Sequence, residues 1–338
     1  MKKIAVSALN DFFAELAKAQ TLYLPIEKAG KVNFYPWTQG EKVRLDVLKT
    51  VKSAKDAFFP QVEDMLKFRM EGKKIDFSQA DVQSEPFVIF GVRACDARSF
   101  DILDRVFLTE PKDAFYAARR ACGTVVTLAC GLPEESCFCT NFGIDPAEPA
   151  GDVTTWITDD AVYLRANTEK GEKLIENLPE AEDTSAVTEQ QEKTREIAKR
   201  LPFADLNLDG FDGEHLMEKF SDAQWDTLSK ACLGCGTCTF VCPTCQCYDI
   251  RDFDSGHGVT RYRCWGSCMY SDFTLMAATN PRTTQLQRFR QRFMHKLVYY
   301  PANNEGIYSC VGCGRCVEKC PQHLNIVKVI KALGVKEK

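Results

Sequence analysis

The chain of 338 residues lacks several features that mark common functional classes. No run approaches the 18 apolar residues of a membrane-spanning helix. The apolar stretch at residues 4–9 stops at Asn10 and has no small-residue cleavage site after it, so we expect no signal peptide. Signatures such as G-x-G-x-x-G, G-x-x-x-x-G-K-S/T, H-E-x-x-H and G-x-S-x-G are missing. We therefore expect that this chain binds neither NAD(P)H nor flavin.

The chain also has only a small net charge and few histidines. The formal net charge is −4 and the four histidines form no metal-ligand spacing. Because no global basic character exists, we predict no nucleic-acid partner. Without a membrane span or leader, the expected location is the cytoplasm.

Cysteine, in contrast, is abundant and unevenly placed. Seventeen cysteines occur, none before Cys95, five from Cys95 to Cys139, and twelve from Cys232 to Cys320. In a reducing compartment, thiols in such numbers usually bind metal and do not form disulfides. The distribution predicts two separate metal-binding regions.

The C-terminal region contains the spacing C-x2-C-x2-C-x3-C-P twice, at residues 232–243 and 310–321. Three thiolates two residues apart let one loop wrap three irons of a cubane, whereas the fourth cysteine ligates the other cluster. This exchange predicts two [4Fe–4S] clusters. The first is assigned to Cys232, Cys235, Cys238 and Cys320, and the second to Cys310, Cys313, Cys316 and Cys242.

Glycines and prolines accompany both motifs. Glycines permit positive φ and bring N–H groups close to the cluster sulfurs; they are Gly234, Gly236, Gly312 and Gly314. Zinc has no use for a reciprocal fourth cysteine followed by proline, and a redox dithiol needs only two thiols. The ferredoxin interpretation is therefore favoured over both.

The segment between the two motifs is predicted to be helical. Ser271 is a candidate cap for a short helix ending at Asn280, and Thr283 or Thr284 for a second amphipathic helix. The second helix carries a basic run, for which a solvated face is the favoured interpretation. The alternative is that this run offsets cluster charge or docks an acidic partner. Its residues are Arg288, Arg290, Arg292, His295 and Lys296.

The N-terminal cysteines follow the pattern of a βαβ unit. Residues 87–92 and 124–129 predict buried strands, and residues 96–107 a helix between them. Sites in open α/β sheets form at the carboxyl ends of parallel strands. We therefore predict a third iron–sulfur site, with zinc as the next possibility and packed thiols as the alternative. Its candidate ligands are Cys95, Cys130, Cys137 and Cys139.

Five cysteines remain outside these sets. Cys245, Cys247, Cys264 and Cys268 either hold a fourth cluster or, as we favour, shield the clusters as apolar thiols. Cys122 is expected to be structural.

The remaining sequence completes the fold prediction: an α/β N-terminal domain at 1–205 and a mainly α-helical, dicluster ferredoxin-like domain at 206–338. A hairpin is expected at residues 152–166, a surface linker at 180–192 and a loop at 205–214.

Several motifs resemble one family. They are Gly91-Val92-Arg93-Ala94-Cys95-Asp96, Cys137-Phe138-Cys139, Cys242-Pro243-Thr244-Cys245-Gln246-Cys247, Trp265-Gly266-Ser267-Cys268, Arg292-Phe293-Met294-His295-Lys296 and residues 310–321. From about residue 55 onward the chain resembles the β subunit of sulfhydrogenases and the iron–sulfur subunit of anaerobic sulfite reductases. It departs from their pattern at Gly266, where an acidic residue is expected, and at Cys264.

The resemblance implies an intermediary in electron transfer and not a catalyst. The implied partners are a subunit with FAD, NAD(P)H and an iron–sulfur centre, and a catalytic reductase or hydrogenase subunit. Related chains also occur beside heterodisulfide-reductase-like flavin complexes. A self-contained reductase of sulfur compounds is a second possibility. A non-enzymatic iron–sulfur sensor is disfavoured, because two complete quartets exceed what sensing requires.

Overall fold

The computed structural model describes residues 1–334. Its strands are Lys2–Ala5 (β1), Thr21–Lys28 (β2), Lys31–Pro36 (β3), Val62–Glu71 (β4), Lys74–Gln79 (β5), Phe87–Val92 (β6), Gly123–Leu128 (β7), Val153–Ile157 (β8), Ala161–Ala166 (β9), Tyr248–Asp254 (β10) and Val259–Trp265 (β11). Its α-helices are Leu9–Ala19 (α1), Ala94–Phe107 (α2), Ala114–Cys122 (α3), Glu169–Ile175 (α4), Ser185–Lys199 (α5), Leu216–Ser221 (α6), Gln224–Ser229 (α7), Thr237–Phe240 (α8), Gln285–Met294 (α9), Tyr300–Asn303 (α10), Arg315–Lys319 (α11) and Ile326–Leu333 (α12).

Seven strands form a mixed sheet in the order β1-β9-β8-β7-β6-β2-β3. The inner strands β2, β6, β7 and β8 are parallel, and antiparallel strands flank them at both edges. Every residue of β6 and β7 is buried, as expected for parallel strands that are covered on both faces. The predicted βαβ unit is confirmed, because β6 and β7 are parallel neighbours. The predicted hairpin at residues 152–166 is also confirmed as β8 and β9.

A second, antiparallel sheet has the order β10-β11-β4-β5. Its β10–β11 hairpin lies between the two cysteine motifs, where the sequence predicted helices. That prediction is wrong for residues 248–265, so the C-terminal part is not helical throughout. Aromatic residues such as Tyr248, Tyr262 and Trp265 favour a pleated strand at these positions.

The second predicted inserted helix is confirmed as α9. Thr284 caps it in a reciprocal arrangement: its hydroxyl accepts from Gln287 N–H at 3.3 Å, and the Gln287 side chain accepts from Thr284 N–H at 2.9 Å. A π-helical stretch, His295–Tyr299, continues from α9. These elements and α12 pack their apolar faces around Phe293 and Leu297 and form the core of the C-terminal part.

Two local predictions are wrong. Residues 180–192 are not a surface linker, because most of them belong to α5, which buries Val187, Thr194 and Ala198. Residues 271–280 form turns and no helix. The predicted loop at 205–214 is confirmed. Among the described residues, no helix has the length and apolar character needed to cross a membrane.

Candidate metal centre

The first predicted quartet surrounds one cavity. A cavity of about 30 Å³ is lined by all four thiol-bearing residues together with apolar side chains such as Phe289 and Phe293. The four are Cys232, Cys235, Cys238 and Cys320. Three come from the loop before and within α8, and the fourth from the distant loop after α11. The fold therefore assembles the three-plus-one arrangement that the spacing predicts.

The second predicted quartet lies next to the first. Burial raises the pKa of Cys313 to about 12, and negative charge on Cys242 and Cys316 adds to this effect although Arg315 opposes it. Burial and the same neighbours also raise the pKa of Cys310. These effects place Cys242, Cys310, Cys313 and Cys316 in one neighbourhood. Iron binding at Cys310 and Cys313 must therefore displace protons, whereas a hydrogen bond with Cys245 lowers the pKa of Cys242.

The glycines of both motifs all have positive φ: Gly234, Gly236, Gly312 and Gly314. The requirement is sharpest at Gly312, with φ of 58°. A Cβ there would collide with the main chain of Phe138 and Cys139. Phe138 N–H also donates to Gly312 C=O at 3.0 Å. The second C-terminal loop therefore packs directly against the N-terminal Cys137–Cys139 segment.

Of the four N-terminal candidate ligands, Cys130, Cys137 and Cys139 are buried and Cys95 is half-buried. Cys95 lies in the first turn of α2, and Cys130 lies two residues after β7. Burial raises the pKa of Cys139, and negative charge on Cys130 and Cys137 raises it further. Cys95 is close enough to Cys139 and Cys313 for their charges to raise its pKa in addition to burial. This set thus lies beside the second C-terminal quartet.

A buried ion pair fixes the contact between these two regions. The Arg315 guanidinium donates to both oxygens of Asp96, at 2.5 and 2.7 Å, and both side chains are about 2% exposed. Arg315 also donates to Thr50 C=O at 2.9 Å. Asp96 follows Cys95, and Arg315 lies between Cys313 and Cys316. The pair therefore ties a residue next to one candidate ligand to a loop that carries others.

The basic run on α9 is not a uniform solvated face. Arg292 and Lys296 are 2% and 3% exposed, which makes the favoured sequence interpretation wrong for these two residues. Lys55, at 1%, joins them from the N-terminal part and donates to Cys242 C=O and Cys245 C=O at 3.1 and 2.9 Å. Sequence reasoning missed Lys55, and nothing local in its segment indicates such burial.

The four remaining C-terminal thiols lie in different surroundings. Cys247 and Cys268 are neighbours: Gly266 N–H donates to Cys247 C=O at 2.9 Å, and contact with Cys268 lowers the pKa of Cys247 to about 7. Cys245 lies beside Cys242, whereas Cys264 lies on β11 opposite Asp249. All four are partly exposed. Cys122 donates to Ser84 C=O at 2.9 Å, a contact between distant segments of the kind expected for a structural thiol.

The donor sets suit an iron–sulfur cluster. Within residues 1–334, no three Cys, His, Asp or Glu side chains converge on a point where a single metal ion would be bound. Cubane ligands need no such convergence, because each thiolate binds a different iron. Arg292 Nε and Nη1 are buried without a hydrogen-bond partner. Such donors beside buried thiols fit an anionic group held between the loops.

Comparison with known families gives the class first. Residues 231–324 match the model of the 4Fe-4S dicluster domain, which spans both C-terminal motifs. The match makes the chain an iron–sulfur protein.

A second comparison covers nearly the whole length. The chain is 32% identical over 329 residues to sulfhydrogenase 2 subunit beta of Pyrococcus furiosus, and the alignment covers 95% of this chain and 94% of that protein. This chain belongs to the family of iron–sulfur β subunits of sulfhydrogenases, which confirms the resemblance inferred from the motifs. Together the two matches make it an iron–sulfur electron-transfer protein. No solved structure matches the chain.

Proposed function

We propose that this chain is an electron-transfer subunit. It would connect a subunit that binds flavin and NAD(P)H with a catalytic subunit of the sulfhydrogenase or sulfite-reductase type. The observation that carries the proposal is the cavity shared by Cys232, Cys235, Cys238 and Cys320. The reciprocal set is Cys310, Cys313, Cys316 and Cys242. When bound at these thiols, a [4Fe–4S] cluster supplies one-electron redox chemistry.

The protein's own residues bind and shield these groups. The thiolates are the ligands, the glycine turns bring main-chain N–H groups towards the sulfurs, and Phe289 and Phe293 exclude water from the first cavity. None of these residues acts as a general acid or base, and the sequence lacks a nucleotide-binding signature. The chain on its own therefore conducts electrons and turns over no substrate.

A third cluster at Cys95, Cys130, Cys137 and Cys139 extends the proposal. Their proximity to Cys313 supports a continuous path from the dicluster region into the α/β part. We further propose the domain limits 1–205 and 206–338, with strands of both domains in the four-stranded sheet, and a cytoplasmic location. The ion pair of Asp96 with Arg315 would hold the two domains at one separation.

Anaerobic preparation of the chain tests the proposal directly. About 12 iron per chain is expected for three cubanes, whereas about 8 would remove the N-terminal cluster from the proposal. Dithionite should bleach the material, and NAD(P)H alone should drive no reduction of sulfite, polysulfide or protons. Turnover by the isolated chain would contradict the electron-transfer role, and colourless or zinc-filled material would contradict the cluster assignment.

Copurification tests the partners. We expect the tagged native protein to retain both a flavoprotein and a catalytic subunit. A chain that elutes alone under mild anaerobic conditions would count against the proposed complex.

A further inference from the structure

Three cations are buried beside the C-terminal thiols without a carboxylate partner. Lys55, Arg292 and Lys296 are 1%, 2% and 3% exposed. Among the residues that the structure describes, their hydrogen bonds go to carbonyl and hydroxyl oxygens, and none goes to an aspartate or glutamate. Removing a charged group from water costs several kcal/mol per ion unless an opposite charge compensates it. Arg292 and Lys296 above all therefore require a source of negative charge; burial lowers the pKa of Lys55, and negative charge at Cys245 and Cys242 opposes that shift.

Their contacts identify where that charge must lie. Lys296 Nζ donates to Thr244 Oγ1 at 2.7 Å and to Ser309 C=O at 3.0 Å, next to Cys310. Arg292 Nη2 donates to Cys238 C=O at 2.9 Å. Together with the bonds from Lys55 to Cys242 C=O and Cys245 C=O, these contacts connect the cations to both cysteine motifs. The three cations thus lie between the two quartets and do not belong to only one of them.

The hydrogen bonding of Arg292 independently supports a nearby anion. Its Nε and Nη1 atoms have no hydrogen-bond partner although the residue is buried. Buried guanidinium N–H groups without acceptors are expensive, and native proteins seldom leave them unpaired. Cluster and cysteine sulfurs are acceptors that would pair with Arg292 Nε and Nη1.

We propose that Lys55, Arg292 and Lys296 are positioning residues that raise the reduction potentials of both C-terminal clusters. This inference rests on the proposed function. Reduction adds one negative charge to a cluster, and a fixed positive charge in a low-dielectric interior stabilises the reduced form more than the oxidised form. The cations also compensate each cluster for the negative charge of its neighbour, so that both can be reduced together.

The test compares charge-removing variants of the full chain, purified anaerobically. In Lys296→Met the equilibrium constant for reduction of the second cluster should fall about tenfold, a shift of about 59 mV to more negative potential. Arg292→Gln should lower both potentials because Arg292 contacts Cys238 and neighbours Cys316. The readout is a redox titration followed by EPR, with iron content measured on the same samples.

Arg290→Gln is the matched control on the same helix. The Arg290 guanidinium lies 3.6 Å from the centroid of the Phe220 ring and donates to Phe220 C=O, away from the cysteines. The reduction potentials of both clusters in Arg290→Gln should therefore equal those of the wild type. Lys296→Arg retains the charge and should restore most of the potential. If Lys296→Met does not retain iron, Lys55→Met decides: an unchanged potential in that iron-loaded variant overturns the inference.

The two proposals fail in different ways. If the anaerobically purified wild-type chain contains no iron, the proposed function is wrong. If the wild type and the variants all bind iron and have equal reduction potentials, the proposed function stands and the inference is wrong, because a purely structural role for the cations predicts no shift.

Discussion

Where the N-terminal thiols meet the second C-terminal loop, two of three cations with little-exposed side chains have carboxylate partners. Arg315 binds Asp96, and Lys49 binds Glu134 at 2.7 Å and also Glu318. The third, Arg93, donates to main-chain carbonyls. Between the two C-terminal quartets, Lys55, Arg292 and Lys296 form no such pair among the described residues. The same residue types thus create nearly balanced charge in one region and uncompensated positive charge in the other.

The difference separates two uses of a buried cation. A cation that is paired with a carboxylate orients and locks a structure, while its charge is largely cancelled at a distance. An unpaired cation leaves its field to act on whatever anion lies nearby. We therefore expect the N-terminal region to respond to mutation mainly in stability and the C-terminal region mainly in redox behaviour.

The largest expected effect comes from removing single ligands in the two regions. Cys316→Ser should eliminate one C-terminal EPR signal and about 4 of 12 irons, and Cys139→Ser a similar amount from the N-terminal site. Metal analysis and EPR of both variants measure this. Cys122→Ser is the control and should retain full iron. Loss of neither C-terminal signal in Cys316→Ser would refute the pairing.

Breaking the Asp96–Arg315 pair tests the locking role. Asp96→Leu leaves the Arg315 charge buried and unpaired, so we expect a loss of about 3–5 kcal/mol in the free energy of unfolding. Anaerobic urea unfolding followed by tryptophan fluorescence measures it. Asp101→Leu is a control on the same helix, where the exposed Arg98 pair contributes at most about 1 kcal/mol. The double variant Asp96→Leu/Arg315→Met should recover most of the loss; equal stability of the wild type and Asp96→Leu would contradict the proposed lock.

The contact between the two cysteine-bearing loops is the next test. Gly312→Ala introduces both positive-φ strain, about 1–2 kcal/mol, and a collision with the Phe138 main chain. We expect a loss of roughly 2–3 kcal/mol in stability with reduced iron retention. Gly306→Ala has positive φ but open space around it and should show the strain alone. Equal urea midpoints for the two variants would show that the loops do not pack as described.

The smallest effect concerns the potentials of the wild type. Because carboxylates cancel most of the charge near Cys95 and Cys139, the N-terminal cluster should be reduced at a more negative potential than either C-terminal cluster. EPR titration of the wild type, with Cys139→Ser to assign the N-terminal signal, checks the order. A higher N-terminal potential would reverse the contrast between the two regions.

Local spacing explains what could be predicted from the sequence. The cysteine motifs, the α9 cap at Thr284 and the buried β6 and β7 strands all have signals within a few residues. The N-terminal set of candidate ligands could also be predicted, because parallel neighbouring strands place Cys95 and Cys130 at one edge of the sheet.

Long-range packing explains what could not. The β10–β11 hairpin was missed because charged residues such as Arg251 and Asp252 interrupt its apolar alternation. The burial of Lys55 and the pairing of Asp96 with Arg315 depend on segments far apart in the chain, and no local pattern records them. In α5, the acidic composition concealed a helix whose few buried positions suffice to hold it against the sheet.

The cavity at Cys232, Cys235, Cys238 and Cys320 has a consequence for biogenesis. A nascent chain extended only to Cys242 presents three thiols of that cavity, and its enclosure waits for the loop that bears Cys320 to be synthesised and docked. Before then the half-formed site is open to any thiophilic ion, zinc included. Production in iron-poor medium would therefore favour mismetallated chains, and correct loading depends on when iron and sulfide arrive relative to translation.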